Sequence, residues 1–206
     1  MFDNPSVAAA LAPSAPRATG SLAPVARWLV AFGLVVATVL LVVREGEFRH
    51  LETALIGLVT GALFAREVRV MTDDPVFLLE RVAGDDTTWF GLHVTQQCSA
   101  VLFLVPLAVI VGFVLVTGRS TVAKLLVAAT GTAAFLELVN VARVELLVLT
   151  ALRGGPSAFG WVHDTVGSAI MLGAFTVALL VFFRLGFLGR GGTARATGPH
   201  DGTDQA

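Results

Sequence analysis

Cysteine and charge are both scarce in this chain. Cys98 is the only cysteine among 206 residues, and Asp, Glu, Lys and Arg together make up 14%. A single cysteine excludes an intrachain disulfide, a Cys-x-x-Cys redox pair and a thiolate zinc site. The four histidines (His50, His93, His163 and His200) are scattered, with no His-Glu-x-x-His spacing, so neither a metal nor a cofactor is expected. No glycine-rich phosphate loop and no dinucleotide fingerprint occurs. The net charge of −1 offers nothing to a nucleic-acid backbone. Soluble domains carry about 25% charged residues. A charged fraction near half of that, with 55% hydrophobic residues and a mean hydropathy of +0.81, points to a protein that lives in lipid.

Apolar runs are what the chain has in abundance. Five can be drawn: about Ala26 to Val43, a shorter one from Leu51 to Phe64, Cys98 to Thr117, Val122 to Arg143, and Thr165 to Phe183. All but the second are long enough to cross a bilayer. They predict an all-α integral membrane protein of about five transmembrane helices. The first run lacks a basic leader and a small-residue cleavage site, and it reads as a retained span and not a signal peptide. Residues 1–24 are rich in Ala, Pro and Ser, and residues 189–206 in Gly, Thr and Asp. Both are expected to be disordered tails flanking a transmembrane domain of residues 25–188. Between the second and third runs, Thr87 to Thr95 mixes β-branched and aromatic residues with partial alternation. A short strand or hairpin is expected there, leading into Cys98.

The loop from Thr117 to Lys124 carries Arg119 and Lys124 without an acid, and Arg184, Arg190 and Arg195 follow the last run. The positive-inside rule puts both on the cytoplasmic face. With five spans the N-terminus would lie outside. Cys98 stands 21 residues before Arg119, Arg143 stands 19 after Lys124, and His163 stands 21 before Arg184. At 1.5 Å per residue, roughly 20 residues cross the ~30 Å hydrocarbon core. Cys98, Arg143 and His163 are therefore expected at one level, on the extracytoplasmic side of the cell membrane. Trp89 and Trp161 fall on that same side, where an indole suits the headgroup layer.

Each of the three has a plain reading beside a chemical one. A lone cysteine packs as a small hydrophobe. At the first turn of a helix, though, the unpaired N–H groups and the dipole stabilise negative charge on sulfur. The approach Thr95-Gln96-Gln97 is polar, and Ser99 can cap the helix through its hydroxyl. Arg143, set among Val and Leu, either snorkels beside a structural partner such as Glu137 or Glu145, or serves as an oxyanion cation with Asn140 holding it. Glu137, Asn140 and Arg143 form a ladder at spacings of three. His163 can take the thiol proton and return it to a leaving amine. Asp164, its sequence neighbour, is not expected to point the same way. His93 is a rival base.

Cys98-Ser99-Ala100 at the start of a span, Asn140-Val141-Ala142-Arg143 at the end of the next, and His163 before the last resemble the motifs of the exosortase/archaeosortase family of membrane cysteine transpeptidases. The likeness covers about residues 50 to 188, with Ala100 where the family usually has Gly and with fewer spans before the cysteine. It implies a membrane cysteine protease or transpeptidase acting on membrane-anchored proteins with a C-terminal sorting signal, made of a short motif, a transmembrane helix and a basic cluster. Cys98 would form a thioester, Arg143 would stabilise the oxyanion, His163 would shuttle protons, and an envelope nucleophile or water would take the acyl group. The alternative is a non-enzymatic membrane protein or assembly partner with a structural Glu137/Arg143 pair.

Overall fold

A computed structural model describes residues 22–83, 86–118 and 120–187. Residues 1–21 of the expected first tail, Arg119, and the whole expected second tail with Arg190 and Arg195 lie outside them, while residues 22–24 open the first helix. The order is α1 (Leu22–Val43), α2 (Glu45–Phe64), β1 (Val68–Val70), β2 (Val76–Ala83), β3 (Asp86–His93), a 3-10 turn (Gln96–Cys98), α3 (Val101–Thr117), α4 (Val122–Trp161), a π-helical turn (Val162–Val166) and α5 (Gly167–Phe187). The protein is a helical membrane protein with one small sheet.

Three stretches are long and apolar enough to cross a bilayer: Pro24–Val43, Val122–Gly154 and Ala158–Gly186. The apolar α3 is 17 residues long. The expectation of five spans is not confirmed. The second run lies in α2, whose first half carries Glu45, Glu47, Arg49, His50 and Glu52, and α2 is not among the three. It buries a stripe of Glu52, Thr53, Ile56, Gly57 and Thr60 against the protein, polar at Glu52, Thr53 and Thr60. Gln96 Nε2 donates to Glu45 at 2.8 Å, and Thr60 Oγ1 donates to Glu145 at 2.8 Å. α2 therefore extends the first helix past the bundle and lies beside the sheet.

The fourth run does not end at Arg143. The helix continues to Trp161, and 40 residues in a straight line would reach about 60 Å, twice the hydrocarbon core. It is not straight. On a regular helix, side chains four apart start about 5–6 Å from one another. A Cβ built on Gly154 would lie only 2.7 Å from that of Ala158. The chain folds back through Gly154-Gly155-Pro156, where a proline cannot continue a regular helix. The two arms then run antiparallel: Leu125 meets Gly186 near one end and Arg143 meets Gly167 near the other. Lys124 and Arg184 thus share an end of the bundle.

Arg27, at the start of α1, also reaches that end, with Nη2 donating to the Ser120 carbonyl at 3.4 Å. α3 closes there on Gly118, whose φ of 68° suits glycine and whose missing Cβ leaves room for the Arg27 guanidinium. The first helix therefore starts at the Lys124 end. The outside N-terminus went with five spans, a count that is not confirmed.

At the other end the sheet runs β1-β2-β3, all antiparallel, with Phe77 opposite Leu92 and Leu79 opposite Phe90. Phe77, Leu79, Leu92 and Val94 pack with Ile56, Cys98, Val141, Val144 and Val148 into one buried cluster. The expected hairpin before Cys98 is thus part of a three-stranded sheet with its own core. A second cluster, with Leu107, Leu125, Leu136 and Phe182 among its members, fills the apolar bundle. Trp89 and Trp161 are exposed at the sheet-bearing end.

Candidate active site

Cys98 closes the 3-10 turn and is 6% exposed. It does not sit in the first turn of α3, as its place at the start of the third apolar run suggested, because Ser99 is extended and the helix begins at Val101. Ser99 Oγ accepts the Val101 N–H at 3.3 Å. The turn is clamped from three sides. Asn140 Nδ2 donates to the Cys98 carbonyl at 2.8 Å, Arg143 Nη1 donates to the Gln97 carbonyl at 2.8 Å, and the Ala100 N–H donates to Glu52 Oε1 at 2.7 Å. Two of these clamps come from one face of α4, three residues apart.

His163 comes from the π-helical turn, 65 residues along the chain, and places Nε2 3.3 Å from Cys98 Sγ. Its other ring nitrogen lies 2.9 Å from Asp164 Oδ1. A carboxylate can only accept, so the ring proton belongs on Nδ1 and the Nε2 lone pair faces the thiol. Asp164 does point the same way as His163, against expectation, and completes a Cys-His-Asp relay. The Asp164 side chain is 77% exposed, so it orients the ring more than it neutralises it. Phe159 stacks on the imidazole with centroids 5.9 Å apart. His93, the rival base, stands exposed on β3.

Arg143 is buried at 4% exposure. Its expected carboxylate partners are elsewhere: Glu145 accepts from Thr60, and Glu137 lies beside Glu52. Among the described residues no ion pair joins Glu137 or Glu145 to Arg143. The Nε of Arg143 has no hydrogen bond. Its guanidinium rests on the bare backbone of Gly167 and faces a small cavity shared with Gln97, Asp164 and Ser168. The thiol and imidazole open instead into a separate groove of about 630 Å³ between β3 and α4. Arg143 thus stands behind the Cys98 turn and does not line the groove.

Glu52 and Gly167 are the residues that sequence reasoning missed. Burial pushes the Glu52 carboxyl up from 4.5 to about 7, against the lowering effect of the hydrogen bonds around Ser99 and Ala100 and with the neighbouring Glu137 adding to the rise. Glu52 Oε2 and both Glu137 oxygens are buried without a hydrogen bond. Among the described residues no cluster of His, Cys, Asp or Glu is fit to hold a metal ion.

Residues 83–183 match the transmembrane exosortase family. No curated protein and no solved structure matches the chain.

Proposed function

We propose, on the match of residues 83–183 to the transmembrane exosortase family, that this chain is a membrane cysteine transpeptidase or protease whose nucleophile is Cys98. The Cys98 Sγ to His163 Nε2 contact of 3.3 Å carries the reading, because a nucleophile within reach of an oriented base is the geometry that covalent acyl transfer requires. His163 Nε2 takes the thiol proton as sulfur attacks the scissile carbonyl. The tetrahedral intermediate collapses as the C–N bond breaks, and His163 returns the proton to the departing amine. A thioester on Cys98 remains. An acceptor amine or water, deprotonated by His163, attacks it and frees the thiol.

Arg143 is assigned two tasks. It holds the Gln97 carbonyl and so fixes the turn that presents the thiol, and it rests on Gly167, which fixes where the second arm packs against that turn. Asn140 and Glu52 hold the same turn from below. The substrates are membrane-anchored proteins bearing a C-terminal motif, a transmembrane helix and a basic cluster, cut on the extracytoplasmic side. A buried cysteine that merely packs has no use for a histidine with a carboxylate behind it, and the structural Glu137/Arg143 pair of the non-enzymatic reading does not form.

The test is C-terminal peptide mass spectrometry of whole cells. Cells carrying Cys98→Ala should accumulate exported proteins with such a C-terminal segment intact, while wild-type cells trim them. Identical C-termini in the two strains would overturn the assignment.

A further inference from the structure

The groove that ends at Cys98 and His163 has an unused wall. In the sheet, Val94 N–H donates to the Pro75 carbonyl at 2.8 Å, which fixes the phase of the ladder. Residues 92, 90 and 88 turn their N–H and C=O groups inward to β2, so Thr87, Trp89, Gly91 and His93 turn theirs outward. β3 is an edge strand, and these outward groups take no backbone partner among the described residues. Gly91 and His93 are exposed. Such a row of free donors and acceptors is a ready template for another strand.

This edge does not face open solvent alone. The groove beside it is lined by Phe90, Leu92 and Val94 on one side and by Val144, Leu147 and Phe159 on the other, with Cys98 and His163 at its end. Its volume, about 630 Å³, sits within the roughly 300–1,000 Å³ of ligand pockets. The charged or ionisable side chains besides the thiol are Arg81, His93 and His163, with no acid among them. Arg81 makes no ion pair among the described residues.

We infer that the free edge of β3 receives the substrate as a fourth antiparallel or parallel strand, an extended acid-bearing peptide whose carboxylate meets Arg81 and whose scissile bond arrives at Cys98. The inference rests on the proposed Cys98 nucleophile and adds to it the mode of substrate binding. Main-chain pairing with Gly91 and His93 gives affinity without demanding particular side chains, and the apolar lining and Arg81 supply the selection. The chain leaves β3 at His93 and reaches the nucleophile five residues later. A strand laid on this edge therefore leads into the reacting sulfur.

The experiment uses the full chain in detergent and short peptides ending in a chloromethyl ketone, in which the thiolate displaces chloride and leaves a stable thioether. Each peptide is made with glutamate or with lysine at successive positions, and in backbone N-methylated forms. Alkylation of Cys98 is followed by mass spectrometry, with iodoacetamide as the peptide-free reagent. A glutamate peptide should react about tenfold faster than its lysine counterpart, the scale of one charge-assisted hydrogen bond. Arg81→Gln should close that gap and leave the iodoacetamide rate unchanged. N-methylation should slow the reaction at alternate positions only, since every second residue of an added strand faces its neighbour. Equal rates for the two peptides, a gap that survives Arg81→Gln, or N-methyl effects without alternation would each overturn strand addition. If iodoacetamide also fails to modify Cys98, the nucleophile assignment falls first and this inference with it.

Discussion

Gly167 is the seat of the Arg143 guanidinium: a Cβ at position 167 would lie 2.6 Å from Arg143 Nε and 3.3 Å from its Cζ. Arg143 cannot swing aside at no cost, because it is buried and tied to the Gln97 carbonyl. Gly167→Ala should therefore lower thermal stability by about 1–3 kcal/mol through overpacking and should lose most processing activity. Gly173, on the same helix, has nothing within 4 Å of its missing Cβ. Gly173→Ala should be neutral or stabilising by up to about 1 kcal/mol. Thermal melts of the two variants side by side check this, and equal melting points would show that Gly167 is not a seat.

Asp164 fixes the His163 tautomer but is largely exposed. Asp164→Asn should cost about tenfold in kcat, well short of the ~10⁴ known for a buried triad carboxylate, with KM little changed. His163→Ala should cost at least about 10². Steady-state kinetics on a processed substrate measure both, and a larger loss for Asp164→Asn than for His163→Ala would contradict the roles given.

Arg143→Lys tests whether charge or shape matters. Lysine offers a point charge and cannot reproduce the planar guanidinium that bonds the Gln97 carbonyl and rests on Gly167. Processing should fall by about 10², the scale of a misplaced reacting group, while the protein still inserts. Full activity in Arg143→Lys would show that the shape of the guanidinium does not fix the turn.

Glu52 makes stability depend on pH. Its carboxyl is raised from 4.5 to about 7 in the folded protein. Between those values the folded chain holds a proton that the unfolded chain has released, so stability is fully present below about 4.5 and falls as pH rises towards 7. The shift amounts to about 3 kcal/mol. Melting temperature in detergent should decline across that window in the wild type and stay flatter in Glu52→Gln. The same slope in both would show that another group is responsible.

The gathering of Cys98, Arg143 and His163 was legible in the chain because helix rise turns sequence distance into depth, and three separate counts agreed. Asn140 and Ser99 came with them. The end of the fourth run was misread because Arg143 looked like an interface residue. Its charge is tolerated inside the protein because a backbone carbonyl accepts from it, and no hydropathy pattern carries that information. The fold-back was written in Gly154-Gly155-Pro156, a breaker cluster that the sequence reading passed over. Glu52 was hidden in a run treated as a weak span, although Glu52, Ile56 and Thr60 recur every four residues and so share one face of the helix, the face buried against the protein. Asp164 was discounted as an adjacent residue, and only the local geometry of the π-helical turn brings its carboxylate to Nδ1.

The most direct measurement is the modification rate of Cys98 by a small, membrane-impermeant methanethiosulfonate applied to intact cells, in wild type and in His163→Ala. As the only cysteine, Cys98 gives a single-site signal. The account predicts modification from outside, slowed by at least about tenfold without the imidazole, since the thiolate is the reacting form. A thiol that reacts only from the cytoplasmic side, or at the same rate with and without His163, would contradict it.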